Sequence, residues 1–204
     1  GIIKYTEWES GIGWRDTPIS LGKPTNTNLT VDPVAVARDE NHIAVFVVVD
    51  SKLYIKQWSN ANKSDWSDTT WTEVTGLGSV KAAKPAVASL YSTQMSVLVL
   101  NTANAIQYKV WTQDTGWAAA TTLDGYVEPP GLIATSSEEL FLYGVNSSGL
   151  FYTRQWTATA GWAAWSAPDG GWTANTPMAA VAPRPHNLML LGRSSDNYLF
   201  YRQY

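Results

Sequence analysis

The chain has 204 residues with a formal net charge of -3; 45% are hydrophobic and only 15% charged. Weak acidity with no run of Lys or Arg excludes the electrostatic footprint of nucleic-acid binding. The absence of cysteine excludes disulfides and thiolate metal sites.

The predicted elements begin with a short strand ending in an aromatic residue, Ile2-Ile-Lys-Tyr-Thr-Glu-Trp8, followed by Gly13-Trp14. Pro33-Val-Ala-Val-Ala then predicts a small-residue strand opened by proline, which is tolerated at a strand's first residue because its missing N–H disturbs least there. Residues 43–49 form a continuous apolar run of the kind buried on both faces. The polar pair Asp50-Ser51 predicts a hairpin into a second aromatic strand, Lys52-Leu-Tyr-Ile-Lys-Gln-Trp58. A longer loop carrying Trp66 and Trp71 follows.

The same order returns three times. Pro85-Ala-Val-Ala-Ser, the apolar run 95–100 and Ala105-Ile-Gln-Tyr-Lys-Val-Trp111 are followed by Gly116-Trp117. Pro130-Gly-Leu-Ile-Ala, the run 140–145 and Leu150-Phe-Tyr-Thr-Arg-Gln-Trp156 are followed by Gly161-Trp162. Pro177-Met-Ala-Ala-Val, the run 188–191 and Tyr198-Leu-Phe-Tyr-Arg-Gln-Tyr204 complete the fourth copy.

A period of roughly fifty residues is the signature of a repeat architecture. The repeats are approximately 9–58, 59–111, 112–156 and 157–204, with an extra N-terminal strand at 2–8. One sheet cannot bury both of its faces, whereas sheets set around an axis bury each against the next. The expectation is therefore all-β: a single β-propeller domain over 1–204, each repeat a four-stranded antiparallel blade, with chain ends that meet to close the ring. A pair of β-sandwiches is the rival, and a fifty-residue internal period is not expected within a sandwich. The extra strand either joins the closing blade or pairs with a second copy, so a homodimer sharing one ring stays open.

The order of aromatic strand, Gly161-Trp162, Pro177 with small residues and buried apolar strand resembles the propeller lectins. The nearest likeness is to the Photorhabdus-type seven-bladed lectins and, more distantly, to the Aleuria-type fungal fucose lectins. The resemblance implies shallow sugar sites in clefts between neighbouring blades, with an aromatic wall and a few polar groups. It implies as ligand fucose or a similarly decorated, for instance O-methylated, monosaccharide on cell-surface glycans. The Aleuria-type pairing of an Arg with a Glu in each blade does not recur in all four copies, which weighs against fucose more than against sugar.

The residues point the same way, because a sugar's C–H face stacks on an aromatic ring while polar neighbours fix its hydroxyls. Trp14, Trp71, Trp117 and Trp162, at loop ends, are the first ligand candidates. Trp58, Trp111 and Trp156 are the second, their regular recurrence also fitting a wedge between blades. Arg154 and Arg202, with the equivalent Lys56 and Lys109, are long donors able to reach a hydroxyl or carboxylate. His42 and His186 read as exposed turn residues, and the segment Ser166 to Trp172 reads as a turn. The acids form no marked pair of the kind glycosidases need and no calcium loop, so no metal, no cofactor and no enzymatic activity are expected. The expected protein is a lectin gaining avidity from several weak sites. A propeller-fold glycoside-acting enzyme and a protein-interaction scaffold are the alternatives. No apolar stretch approaches a membrane span, and residues 1–20 lack a signal-peptide pattern, so a soluble chain without membrane insertion is expected, its compartment unspecified.

Overall fold

The computed structural model describes residues 1–60, 66, 70–125, 127–167, 178–194 and 196–203. Pro177, Tyr204, most of the Ser166 to Trp172 segment and the loop around residues 61–65 lie outside the described residues.

An N-terminal unit holds β1 (Ile3–Tyr5), β2 (Trp8–Glu9), β3 (Gly13–Trp14) and β4 (Ile19–Gly22), with β1 paired to β4 and β2 to β3. The first full sheet runs β5 (Val34–Asp39), β6 (His42–Val49), β7 (Lys52–Ser59), β8 (Thr72–Glu73) in spatial order. The second comprises β9 (Ala86–Tyr91), β10 (Gln94–Leu100), β11 (Ile106–Thr112), β12 (Gly116–Trp117) and β13 (Thr121–Leu123), the last two both pairing with β11. The third is β14 (Gly131–Ser136), β15 (Glu139–Val145), β16 (Phe151–Thr157) and β17 (Gly161–Trp162). The fourth is β18 (Ala179–Arg184), β19 (Asn187–Arg193) and β20 (Leu199–Gln203). All pairings are antiparallel.

Local chemistry sets the hairpins. Asp50 and Ser51 both take positive φ, 51° and 57°, as a two-residue turn matching the twist of its strands requires. The next two copies use longer loops built by one asparagine each. The Asn101 carboxamide oxygen accepts the backbone N–H groups of Ala103 and Ala105, and that of Asn146 accepts those of Ser148 and Leu150. Asn and Asp side chains stabilise turns in this way.

The small-residue strands β5, β9, β14 and β18 are innermost. β9 lies against both β5 and β14, and β14 against β18. Short side chains let these backbones approach, and the next strand out is apolar on both sides because it is covered on both sides. On β6, Ala44, Phe46 and Val48 pack with Met95, Val97 and Val99 of β10, while Val45 and Val47 turn to Ile3 and Leu21 of the N-terminal unit. On the other face of β10, Leu98 and Leu100 meet Leu132, Leu140 and Leu142. Tyr143 and Phe151 then meet Leu188 and Leu190 of β19. The sheets therefore follow one another in chain order, and the N-terminal unit packs on the first of them.

Candidate functional site

The strand register makes the junctions comparable residue by residue. Trp58, Trp111 and Trp156 pair with Ile43, Met95 and Leu140, the same position in three sheets. Side chains alternate along a strand, so each of these rings faces the preceding sheet, together with the residue two before it: Lys56, Lys109 or Arg154.

Those cations join neighbouring sheets. Lys56 Nζ donates to the Leu21 carbonyl at 3.1 Å, and Lys109 Nζ donates to the Thr75 carbonyl. The Arg154 guanidinium donates to the carboxylate of Asp124. Two indoles add to the same joints, with Nε1 of Trp71 donating to Leu21 O at 2.9 Å and Nε1 of Trp165 to Asp124 O at 2.8 Å. Burial holds the Lys109 ammonium below the usual lysine range, and its head group also approaches the Trp117 ring, 5.9 Å from the centroid. Replacing Lys109 with Met leaves the Thr75 carbonyl without this donor. We expect a loss of about 1–3 kcal/mol, read as a lower urea midpoint at unchanged m-value.

The second tryptophan of each copy also reaches back. Trp117 stands edge-on to Phe46, centroids 6.3 Å apart, and Trp162 edge-on to Tyr108 at 5.2 Å. In the first sheet this role falls to Trp66, 5.7 Å from Tyr5, and not to Trp71, whose counterpart is Trp165. The long loop obscures that difference in the sequence. Trp14, with no described sheet on its outer side, is 64% exposed. Arg202 occupies the Arg154 position in β20, opposite Leu190 as Arg154 is opposite Leu142.

The four junctions differ in how much room they leave. Between the N-terminal unit and the first sheet lies a groove of about 440 Å³, with Tyr5, Glu7 and Arg15 on one wall and Ile43, Trp58 and Trp66 on the other. Glu7 and Arg15 form an ion pair, Nε to Oε1 2.6 Å, with both side chains about half exposed. The Arg15 backbone N–H also donates to Glu7 O at 3.0 Å, so the β2–β3 hairpin holds the pair side by side. An exposed pair of this kind contributes about 0–1 kcal/mol to stability, so the fold alone gives little reason for it.

At the second junction the corresponding ring, Trp111, is covered by Arg38 from β5, whose guanidinium carbon lies 4.6 Å from the ring centroid. Arg38 donates from Nη1 to Ser92 O at 2.5 Å. At the third, Trp156, Val110 and Ala134 pack against the core. The same backbone bond that joins Arg15 to Glu7 joins Ala118 to Val110 and Ala163 to Gln155, so the charged pair is replaced there by apolar or neutral groups. At the fourth, the buried Glu139 carboxylate accepts from Thr135 Oγ1 and Gln155 Nε2, and His186 from the next sheet lies 3.5 Å away. His186 thus links two sheets, while His42 bonds Asp39 within its own hairpin at 2.8 Å. Among the described residues no cluster of three His, Cys, Asp or Glu could hold a metal ion.

A smaller hollow of about 240 Å³, lined by Gly125, Val127, Asn146, Tyr152 and Trp165, lies beside the Asp124 joint. Glu7 was legible only as one of several scattered acids. Arg15 carries no periodic signal that would mark it in the sequence; Tyr152 recurs as Tyr54, and Trp165 as Trp71 only once the loop lengths are matched.

Successive antiparallel sheets with small-residue strands innermost, each packed face to face on the next, decide the architecture. The fold is a β-propeller. The blades correspond to those of AofleA from Arthrobotrys oligospora, at a TM-score of 0.75 and 15% identity, covering 100% of this chain and 61% of that one. The fucose-specific lectin from Aleuria aurantia matches at 0.70 and 14%, covering 100% and 66%. The NanB sialidase from Streptococcus pneumoniae matches at 0.67 and 15%, covering 98% and 34%. The chain thus spans about three fifths of the length of AofleA and two thirds or less of the others. No protein-family model and no curated protein matches the sequence.

Proposed function

We propose that this propeller binds carbohydrate without transforming it, and that the groove between the N-terminal unit and the first blade is its main site. The observation that carries this reading is the Glu7–Arg15 pair, set in an aromatic-walled groove of about 440 Å³. Ligand sites of this kind combine mostly apolar walls with a few placed polar groups. The Trp58 ring stacks on the apolar face of a pyranose. The Glu7 carboxylate accepts from hydroxyls, and the Arg15 guanidinium, a planar fork of donors, gives hydrogen bonds to oxygens. One of the structural neighbours, the lectin from Aleuria aurantia, is described as fucose-specific. A methyl-bearing sugar such as fucose, or an O-methylated one, suits a groove that also presents Ile43 and Tyr5, and cell-surface or glycoprotein glycans are the natural partners.

The test is a glycan array followed by calorimetry with the best ligand. Wild type binds a monosaccharide-terminated glycan, and Glu7→Gln weakens it about tenfold or more. An array with no binder overturns the proposal. So does cleavage of chromogenic glycosides at the same groove, the enzymatic outcome that the shared fold with a sialidase makes worth measuring.

A further inference from the structure

The inner strands begin at one end of the propeller axis, and there they surround a cup of about 190 Å³. Val34, Ala86 and Gly131 are the first residues of β5, β9 and β14, and Met178 directly precedes β18. All four line the cup, which shares no lining residue with the groove of the Glu7–Arg15 pair. Pro85, Pro129 and Pro130 line it too, and the fixed φ of proline keeps such a wall stiff.

The third blade departs from the repeat here, at two positions together. Val34 pairs with Phe46, Ala86 with Leu98 and Ala179 with Leu191. In the third blade the same pair is Gly131 with Tyr143. Gly131 does not have a left-handed φ, so backbone conformation does not call for glycine. Space does: a Cβ there would stand 2.2 Å from Cζ and 2.6 Å from Oη of Tyr143. The glycine lets the phenol extend over the inner strand to the cup.

Packing alone does not explain that phenol, because Phe46 holds the same position in the first blade with no polar atom. Tyr143 is 8% exposed, yet its hydroxyl has no hydrogen-bond partner among the described residues. A polar group on an otherwise buried side chain is costly to leave unpaired. Burial also raises the phenol above the usual tyrosine range, which keeps it a neutral O–H donor. Lys84 is the one charged residue among the described residues lining the cup, and it has no ion-pair partner among them.

We propose that the cup binds a small carboxylate with an apolar body. The carboxylate accepts from the Tyr143 hydroxyl and faces the Lys84 ammonium, and the body lies against Pro85, Pro130 and Met178. Hydrogen bonds to an ionised acceptor are the strong ones, and the proline wall excludes water from the rest of the ligand. This is a binding function separate from sugar recognition at the groove, so either can fail without the other.

Benzoate is the probe, titrated into the isotope-labelled 204-residue chain and followed by amide chemical shifts. Saturating shifts centre on Ala86, Val87, Gly131 and Tyr143, with a Kd of about 1 mM. Benzyl alcohol, which keeps the ring and loses the charge, binds about tenfold more weakly, and Tyr143→Phe weakens benzoate by about the same factor. Lys84→Gln weakens it by about threefold, an effect that shrinks with added salt. The double variant Gly131→Ala with Tyr143→Leu restores the pair found in the second blade, stays folded by circular dichroism and binds no benzoate. Shifts that do not saturate by about 50 mM overturn the proposal, as does undiminished affinity in Tyr143→Phe. Benzyl alcohol binding as tightly as benzoate overturns the need for an anion, and glucuronate doing so overturns the apolar body.

Discussion

Replacing Phe46 with Ala is expected to remove about 3–5 kcal/mol of stability, the range for deleting a buried aromatic side chain. Phe46 is fully buried between the first two blades, packed among the β10 side chains and edge-on to Trp117. Because a repeat array is held mainly by nearest-neighbour contacts, the cavity opens at the joint between the first two blades. Domains have about 5–15 kcal/mol in total, so the variant should unfold at a much lower urea concentration, with that joint the first to fail. Val45→Ala, on the other face of the same strand beside the open groove, is the comparison and should cost less. Equal midpoints for the two variants would show that the blade-to-blade contact is not where the stability lies.

The architecture was legible in the sequence because burial dictates it repeatedly. A strand covered on both faces must be apolar or have its buried polar groups bonded internally, as in residues 43–49, 140–145 and 95–100, where the one polar residue, Ser96, is hydrogen-bonded to the Tyr108 hydroxyl. An innermost strand must be small, and a hairpin needs residues that tolerate positive φ, as at Asp50 and Asn104. Each requirement recurs at fifty-residue intervals, so each is seen several times. The site was less legible for the same reason. Repetition marks what all joints share, and Trp117, Trp162, Lys109 and Arg154 recur where they join blades. Among the described residues the Glu7–Arg15 pair has no counterpart at another joint, and its two members are brought together by hairpin register. Arg38 over Trp111 is equally invisible in the pattern, since Leu90 and Thr135 stand at its position in the next two inner strands.

That contrast between shared and singular positions separates two tryptophans that look alike in sequence. Trp58→Ala should lower affinity for the best-binding glycan at least tenfold, which corresponds to about 1.4 kcal/mol, because it removes the groove's aromatic wall. Trp58→Phe should recover part of the loss, since a smaller ring still offers a face. Trp156→Ala, at the same register position but packed against Leu140 and its neighbours, should lower the urea midpoint instead and leave the affinity of the folded fraction unchanged. Calorimetry on all three variants, with the folded fraction fixed by circular dichroism, distinguishes the two roles. If Trp156→Ala weakens binding as much as Trp58→Ala does, the groove beside the N-terminal unit is not the site, and the regular tryptophans bind as a set. If neither weakens it, sugar is held elsewhere, and the hollow beside Trp165 becomes the next place to mutate.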